Sequence, residues 1–134
     1  MNREELKALL PHREPMLLLD EAELVDGEAV ASYTVRGDEF FLQGHFPGQP
    51  VVPGVILCEM MGQSSCMLLE SSGGTPYFTS LRQVKFKNKV LPGDKIILKS
   101  RLLKSRPPFY FVQAECFVGD KLCVCGELSF ALIK

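Results

Sequence analysis

The chain has only two histidines, His12 and His45, and no C-x-x-C pair to go with them. Its five cysteines (Cys58, Cys66, Cys116, Cys123 and Cys125) make an odd set with no histidine at metal-ligand spacing. Cys123 and Cys125, alternate residues of a strand, share one side and are a poor zinc arrangement. No metal is therefore expected, and the thiols read as reduced, hydrophobe-like side chains suited to a reducing cytosol. Ser64 and Ser65 lack a Gly-x-Ser-x-Gly context, and no cysteine is paired with a histidine in sequence, which disfavours nucleophilic catalysis. A phosphate-cradling glycine motif is missing too. No apolar stretch reaches membrane-spanning length, and the segment MNREELKALLPHREP lacks the apolar core of a signal peptide, so a soluble cytoplasmic protein is expected. Nor is there a Ser/Gly tract, a charge block, a proline-rich tail or an internal repeat. One domain spanning residues 1–134 is the expectation.

Charge is unevenly placed behind a net of −1. Met1–Ser80 holds 4 basic and 12 acidic residues, a balance of −8, and Leu81–Lys134 holds 11 and 4, a balance of +7. Arg82, Lys85, Lys87, Lys89, Lys99, Arg101, Lys104 and Arg106 either face an acidic partner or form the solvated outer face of a sheet. Nucleic acid is not the expected partner, because the domain as a whole is not basic and no aromatic–basic interleaving stands out.

What the chain does have is Gly44-His45-Phe46-Pro47-Gly48, followed at once by Gln49-Pro50-Val51-Val52-Pro53-Gly54. Three prolines fix their own φ and push the preceding residues toward extended conformations, so His45 sits in a stiff loop. Just beyond it, Glu59 is the only acid between Phe40 and Leu69. Glu59 and Gln63 are spaced i, i+4 and share one helix face.

The periodicities give an order of elements. A short helix over Arg3–Leu10 is stopped by Pro11, and His12-Arg13-Glu14-Pro15 turns the chain, with His12 in a capping or packing role. Strands over Met16–Leu24 and Glu28–Val35 flank Asp26-Gly27, a hairpin dipeptide. A structured loop fills Gly37–Gly54. A helix over Val55–Ser71, apolar on nearly every face and ended by Gly73-Gly74, reads as buried. Period-two strands follow over Pro76–Val90, Lys95–Ser105, Phe109–Val118 and Leu122–Ile133. Such short connections favour antiparallel pairing, hence an α+β fold: one antiparallel sheet wrapped around a single long helix.

A buried Glu59 is costly unless paired or neutral, and desolvation raises a carboxylic acid's pKa, which makes it a candidate acid near neutrality. An imidazole such as His45 titrates in the same range. Free N–H groups at the helix start beside Gly54 can polarise a carbonyl oxygen. Base, acid and oxyanion donors around a dry cavity suit removal of a proton α to a carbonyl with loss of a β-hydroxyl. The structural alternative stands beside it: a glutamate that only hydrogen-bonds, and a histidine that only satisfies backbone carbonyls.

LPHREPMLLLD (Leu10–Asp20), DEFFLQGHFPGQPVVPGVILCEMMGQ (Asp38–Gln63) and VKFKNKVLPGD (Val84–Asp94) resemble the hotdog-fold (3R)-hydroxyacyl-acyl-carrier-protein dehydratases of type II fatty acid synthesis. The resemblance runs in order over nearly the whole chain. It implies a hotdog domain, a homodimer with a continuous sheet, often a trimer of dimers, and no cofactor. His45 and Glu59 are implied as the catalytic pair, supplied to each site by opposite protomers. His45 would take the C2 proton, Glu59 would protonate the departing hydroxyl through a water held with Gln63, and the Gly54 N–H would bind the thioester oxygen. Gly54, Gln63, Phe46 and Val55 are the implied substrate-binding residues, and an acidic acyl carrier protein is the implied partner of the basic half, with Lys85, Lys87, Lys99 and Arg101 as the docking patch.

Glu59, where a related branch carries Asp, points to the branch that dehydrates without isomerising. Met60 stands where alanine is usual and is expected to alter the tunnel wall. The connection Ser71–Pro76 is shorter than is usual. Three other functions remain: a trans-2/cis-3 enoyl isomerase on the same scaffold, a thioesterase, which the Glu-x-x-x-Gln pattern suits poorly, and a non-catalytic acyl-binding subunit, which would gain nothing from an ionisable pair.

Overall fold

The computed structural model describes residues 1–69 and 74–134. Helix α1 spans Arg3–Leu9, where Asn2 and Glu5 cap each other's backbone N–H groups in a capping box. Strands β1 (Glu21–Val25) and β2 (Glu28–Thr34) follow, then a short 3-10 turn over Phe40–Leu42, helix α2 (Gly54–Ser65) and a second 3-10 turn over Cys66–Leu68. The chain closes with β3 (Thr75–Phe86), β4 (Lys95–Arg106), β5 (Phe109–Val118) and β6 (Lys121–Ile133). All pairings are antiparallel, and the strands form one sheet in the order β1-β2-β4-β5-β6-β3.

The sheet alternates as its period-two sequence dictates. Ile96, Leu98 and Ser100 of β4 and Tyr110, Val112, Ala114 and Cys116 of β5 face inward. Helix α2 packs on that inner face against β2, β4, β5 and β6. With apolar residues on nearly every side, it can be buried all round only inside such a wrap. No helix among the described residues is long and apolar enough to cross a membrane.

The structure departs from expectation at several points, among them β3, which ends at Phe86 rather than Val90. β1 begins at Glu21 rather than Met16, because the backbone of the preceding segment bonds elsewhere: Arg3 donates to the carbonyls of Leu17 and Leu19 at 2.6 and 2.7 Å. α2 ends at Ser65, about 18 Å from its start at 1.5 Å per residue. There Ser64 and Ser65 both turn their hydroxyls back onto the Met61 carbonyl, and the chain tightens into the 3-10 turn. The expected end at Ser71 and the stop at Gly73 lie outside the described residues. In β6, a register irregularity opposite Cys116/Phe117 leaves Cys123 without a ladder partner, so Cys123 and Val124 are both buried. Cys125 instead falls opposite Lys85 and lines a groove with Arg82 and Glu127, so the two cysteines do not share a side as alternation predicts.

Candidate active site

The loop from Gly37 to Pro53 is anchored at its entry by Glu39. This buried carboxylate accepts hydrogen bonds from the Tyr33 hydroxyl (2.7 Å) and the N–H groups of Arg36 (2.9 Å) and Gly37 (2.8 Å). Burial pushes the Glu39 carboxyl up, but those three donors prevail and hold it below the ordinary glutamate value. Further on, Phe46 and Gln49 exchange N–H···O bonds of 3.2 and 2.8 Å, and the Val51 N–H donates to the His45 carbonyl at 3.0 Å. Gly44 and Gly48, at φ of 83° and 76°, make the turn possible. The stiffness expected from three prolines is thus also a matter of hydrogen bonding.

His45 is held by one ring nitrogen and one ring face. Its Nδ1 lies 3.0 Å from the Val51 carbonyl, which can only accept, so the neutral ring carries its hydrogen on Nδ1 and leaves Nε2 free as a base. Phe46 stacks on the ring, with centroids 4.2 Å apart. A cavity of about 540 Å³ opens beside His45, lined also by Gly54, Val55, Leu57, Phe86, Lys87 and Lys89. The start of α2 faces it: the N–H groups of Ile56 and Leu57 bond back to the Pro53 carbonyl, leaving those of Gly54 and Val55 as the donors at the positive helix end. A side chain at residue 54 would meet the Phe86 ring at 2.7 Å.

Glu59 is not in that cavity. It lines a second one of about 220 Å³, with His12, Gln63, Cys66, Tyr77, Phe78 and Phe130, and the two cavities share no residue. So the structure groups His45, Gly54 and Val55, with Phe46 stacked behind, and separately groups Glu59 with Gln63. Within one protomer it does not join the two sets.

Two features of the second set were not foreseen. His12, assigned a capping or packing role from sequence, places Nε2 3.3 Å from Oε2 of Glu59. Gln63 is 1% exposed and fully engaged: Oε1 accepts from the Leu18 N–H (2.9 Å), while Nε2 donates to the Met16 carbonyl (2.7 Å) and to Oε2 of Glu59 (3.1 Å). Burial pushes the Glu59 carboxyl up, yet hydrogen bonds from His12 and Gln63 outweigh it and leave it lowered. The acid raised toward neutrality that burial alone predicts is therefore replaced by a paired one. The signal for His12 was its rarity, as the only other imidazole in the chain. Met60, expected in the tunnel wall, is wholly buried in the core and lines neither cavity. Among the described residues no cluster of His, Cys, Asp and Glu is arranged to hold a metal ion.

The sheet wrapped around α2 defines a hotdog fold, and solved structures share it. The chain superposes on the dehydratase heterocomplex ApeI:P of Xenorhabdus doucetiae with a TM-score of 0.82 at 22% identity, over 96% of this chain and 91% of that one. It superposes on the TT0310 protein of Thermus thermophilus with a TM-score of 0.67 at 17% identity, over 99% and 100%. A FabA-like domain model matches residues 10–127. The 3-hydroxyacyl-[acyl-carrier-protein] dehydratase FabZ of Clostridium perfringens is 40% identical over 98% of this chain and 99% of its own length. The FabZ of Lactococcus lactis subsp. cremoris is 39% identical over 100% and 96%. The chain belongs to the FabA-like family, among its FabZ-type members.

Proposed function

We propose that this protein dehydrates 3-hydroxyacyl chains carried on acyl carrier protein in fatty acid elongation, giving the trans-2-enoyl product. It acts as a single hotdog domain, with the site built between two copies. Nε2 of His45 takes the C2 proton of a thioester whose carbonyl oxygen accepts from the Gly54 N–H. The C3–O bond breaks, its electron pair stays with the hydroxyl oxygen, and Glu59 supplies the proton that releases water. Val55 lines the His45 cavity for the acyl chain, Phe46 holds the His45 ring from behind, and Gln63 orients Glu59.

The observation that carries the shared site is the placement of β3. It is an edge strand with one side unpaired, and it presents Tyr77, Phe78, Leu81 and Phe86 to solvent. Phe86, at its end, lines the His45 cavity, and Tyr77 and Phe78, near its start, line the Glu59 cavity. Two copies of β3 paired antiparallel about a two-fold axis bring the end of one beside the start of the other. His45 of one protomer then faces Glu59 of the other, twice per dimer, across one continuous cleft.

Lys87 and Lys89 line the His45 cavity, and Arg82, Lys85, Lys99 and Arg101 are exposed beyond it. None of the six forms an ion pair among the described residues. An acidic carrier protein suits that surface. A cytoplasmic location follows from this partner, and the five free cysteines fit it.

The test is a paired assay of wild type, His45→Ala and Glu59→Gln with 3-hydroxyacyl and trans-2-enoyl thioesters on carrier protein, resolving products by mass and double-bond position. Both variants should lose hydration and dehydration by roughly 10²- to 10⁴-fold, with no cis-3 product from wild type. A cis-3 product would instead indicate an isomerase, and an inert wild type a binding subunit.

A further inference from the structure

Glu59 is held by one oxygen only. Oε2 lies within 3.1 Å of Nε2 of Gln63 and 3.3 Å of Nε2 of His12, whereas Oε1 has no partner among the described residues. The His12 ring reaches it from a loop clamped by Arg13, whose guanidinium donates to the carbonyls of Leu10 (2.9 Å), His12 (2.7 Å) and Lys7 (3.0 Å). Nδ1 of His12 is buried with no hydrogen-bond partner among the described residues. A hydrogen on Nδ1 would find no acceptor and would leave the Nε2 lone pair facing a carboxylate. The neutral ring therefore carries its hydrogen on Nε2, where Oε2 accepts it.

We propose that His12 is a positioning residue for the acid: with Gln63 it occupies Oε2 of Glu59, so that the proton given to the leaving hydroxyl rides on Oε1. The inference rests on the reading of Glu59 as the acid. In the protonated carboxyl, Oε2 is the carbonyl oxygen accepting two N–H groups and Oε1 bears the hydrogen. When the C3–O bond breaks and its pair stays on oxygen, that oxygen takes the Oε1 hydrogen and leaves as water. The resulting carboxylate keeps both donors without rearranging, the C2 proton resides on His45, and exchange with solvent restores both groups. Two fixed donors favour the anion and strengthen the acid.

The other groups facing the pair do not compete for this role. Cys66, on the turn after α2, has its thiol pushed up to about 12, chiefly by burial, and is neutral. Tyr77 on β3 and Phe130 on β6 face the pair as aromatic rings. Arg13 is spent on backbone carbonyls, and behind the loop Lys7 and Glu14 pair with each other at 3.4 Å.

The test combines a carbon NMR titration of the Glu59 carboxyl with kcat and KM for wild type, His12→Ala and His12→Asn. Loss of the donor in His12→Ala should raise the Glu59 titration by about one pH unit. Because Oε1 is then no longer held toward the leaving oxygen, kcat should fall about tenfold when compared at a pH low enough to keep Glu59 protonated in both proteins. KM should stay within about twofold, and His12→Asn, which keeps an N–H donor, should recover part of both effects and decides the matter if His12→Ala does not fold. A Glu59 titration unmoved in these variants, or a loss of kcat that tracks their loss of thermal stability, would overturn the proposal. A Glu59→Gln protein that still dehydrates would overturn the parent reading instead, and the NMR titration would still report whether His12 holds the carboxyl.

Discussion

Gln63 and Leu18, 45 residues apart in the chain, are joined by a 2.9 Å hydrogen bond from the Leu18 N–H to the Gln63 side-chain oxygen. That contact ties the segment after the His12 turn to the helix bearing Glu59. Because the other end of the same amide holds the Met16 carbonyl and the Glu59 carboxylate, Gln63 couples stability to the site. Gln63→Leu keeps the volume but leaves the buried Leu18 N–H and the half-buried Met16 carbonyl without partners. It should cost about 2–4 kcal/mol in urea unfolding and should lower kcat more than it raises KM. Gln63→Glu should be worse for activity, since it sets a second carboxylate against Glu59.

Two glycines separate catalysis from stability. A methyl group on residue 54 would press on Phe86 at 2.7 Å, but that ring is exposed and can swing aside. Gly54→Ala should therefore leave the melting temperature nearly unchanged while reducing kcat/KM, as Phe86 shifts within the His45 cavity. Gly126→Ala should do the reverse: its methyl would stand 3.0 Å from the Val84 backbone, which cannot rotate away, at a cost of roughly 1–3 kcal/mol. Circular dichroism melts and steady-state kinetics on the two proteins distinguish the effects.

Much of this was legible in the chain, for local reasons. Asp26 and Gly27 adopt positive φ (51° and 83°) at the hairpin turn their dipeptide announces. The alternation in β4 and β5 names their buried faces, and the continuous apolar run after Gly54 could only be an enclosed helix. What escaped depends on distant partners. Met16–Asp20 has the apolar pattern of a strand, but Arg3 and Gln63 claim its backbone. His12 gives no local sign of meeting Glu59, since that contact is set by the Arg13 clamp. The edge position of β3, which puts a cavity at each end of one strand, is a property of sheet order and not of any window of sequence.

Acid should loosen the fold through two glutamates. Glu39 and Glu59 are both held below their ordinary range. A carboxylate whose pKa is depressed by folding stabilises the protein above its unfolded pKa, and that contribution is lost as the pH falls through the folded value. The urea midpoint should thus decline from pH 5 to about pH 3. Glu39→Gln should flatten the decline while lowering stability at neutral pH, because the Arg36 and Gly37 N–H groups and the Tyr33 hydroxyl lose a charged acceptor. A midpoint that falls as steeply in Glu39→Gln as in wild type would remove Glu39 from the account.

Carrier docking should depend on the lysines at the cavity mouth. Lys87→Glu with Lys89→Glu should raise KM for a substrate on carrier protein while leaving a pantetheine thioester nearly unaffected. The salt dependence of KM should flatten in parallel, since screening of exposed charges acts over about 10 Å at ordinary ionic strength. Equal losses on both substrates would mean that the charges disturb the cavity rather than the docking.

A site shared between two chains, as proposed, makes a demand that no single-chain arrangement meets. His45→Ala and Glu59→Gln homodimers each lack one of the two groups at every site and should be inactive. In a heterodimer of the two, one site carries both substitutions and the other carries neither. Unfolding and refolding an equimolar mixture should yield heterodimers as half of the dimers, each with one intact site, and so restore about a quarter of wild-type activity. If both groups acted within one protomer, every site in the mixture would stay defective and nothing would return. Leu81→Asp sharpens the comparison by placing a charge in the middle of the exposed face of β3: it should abolish activity and yield monomers by sedimentation, although Leu81 lines neither cavity.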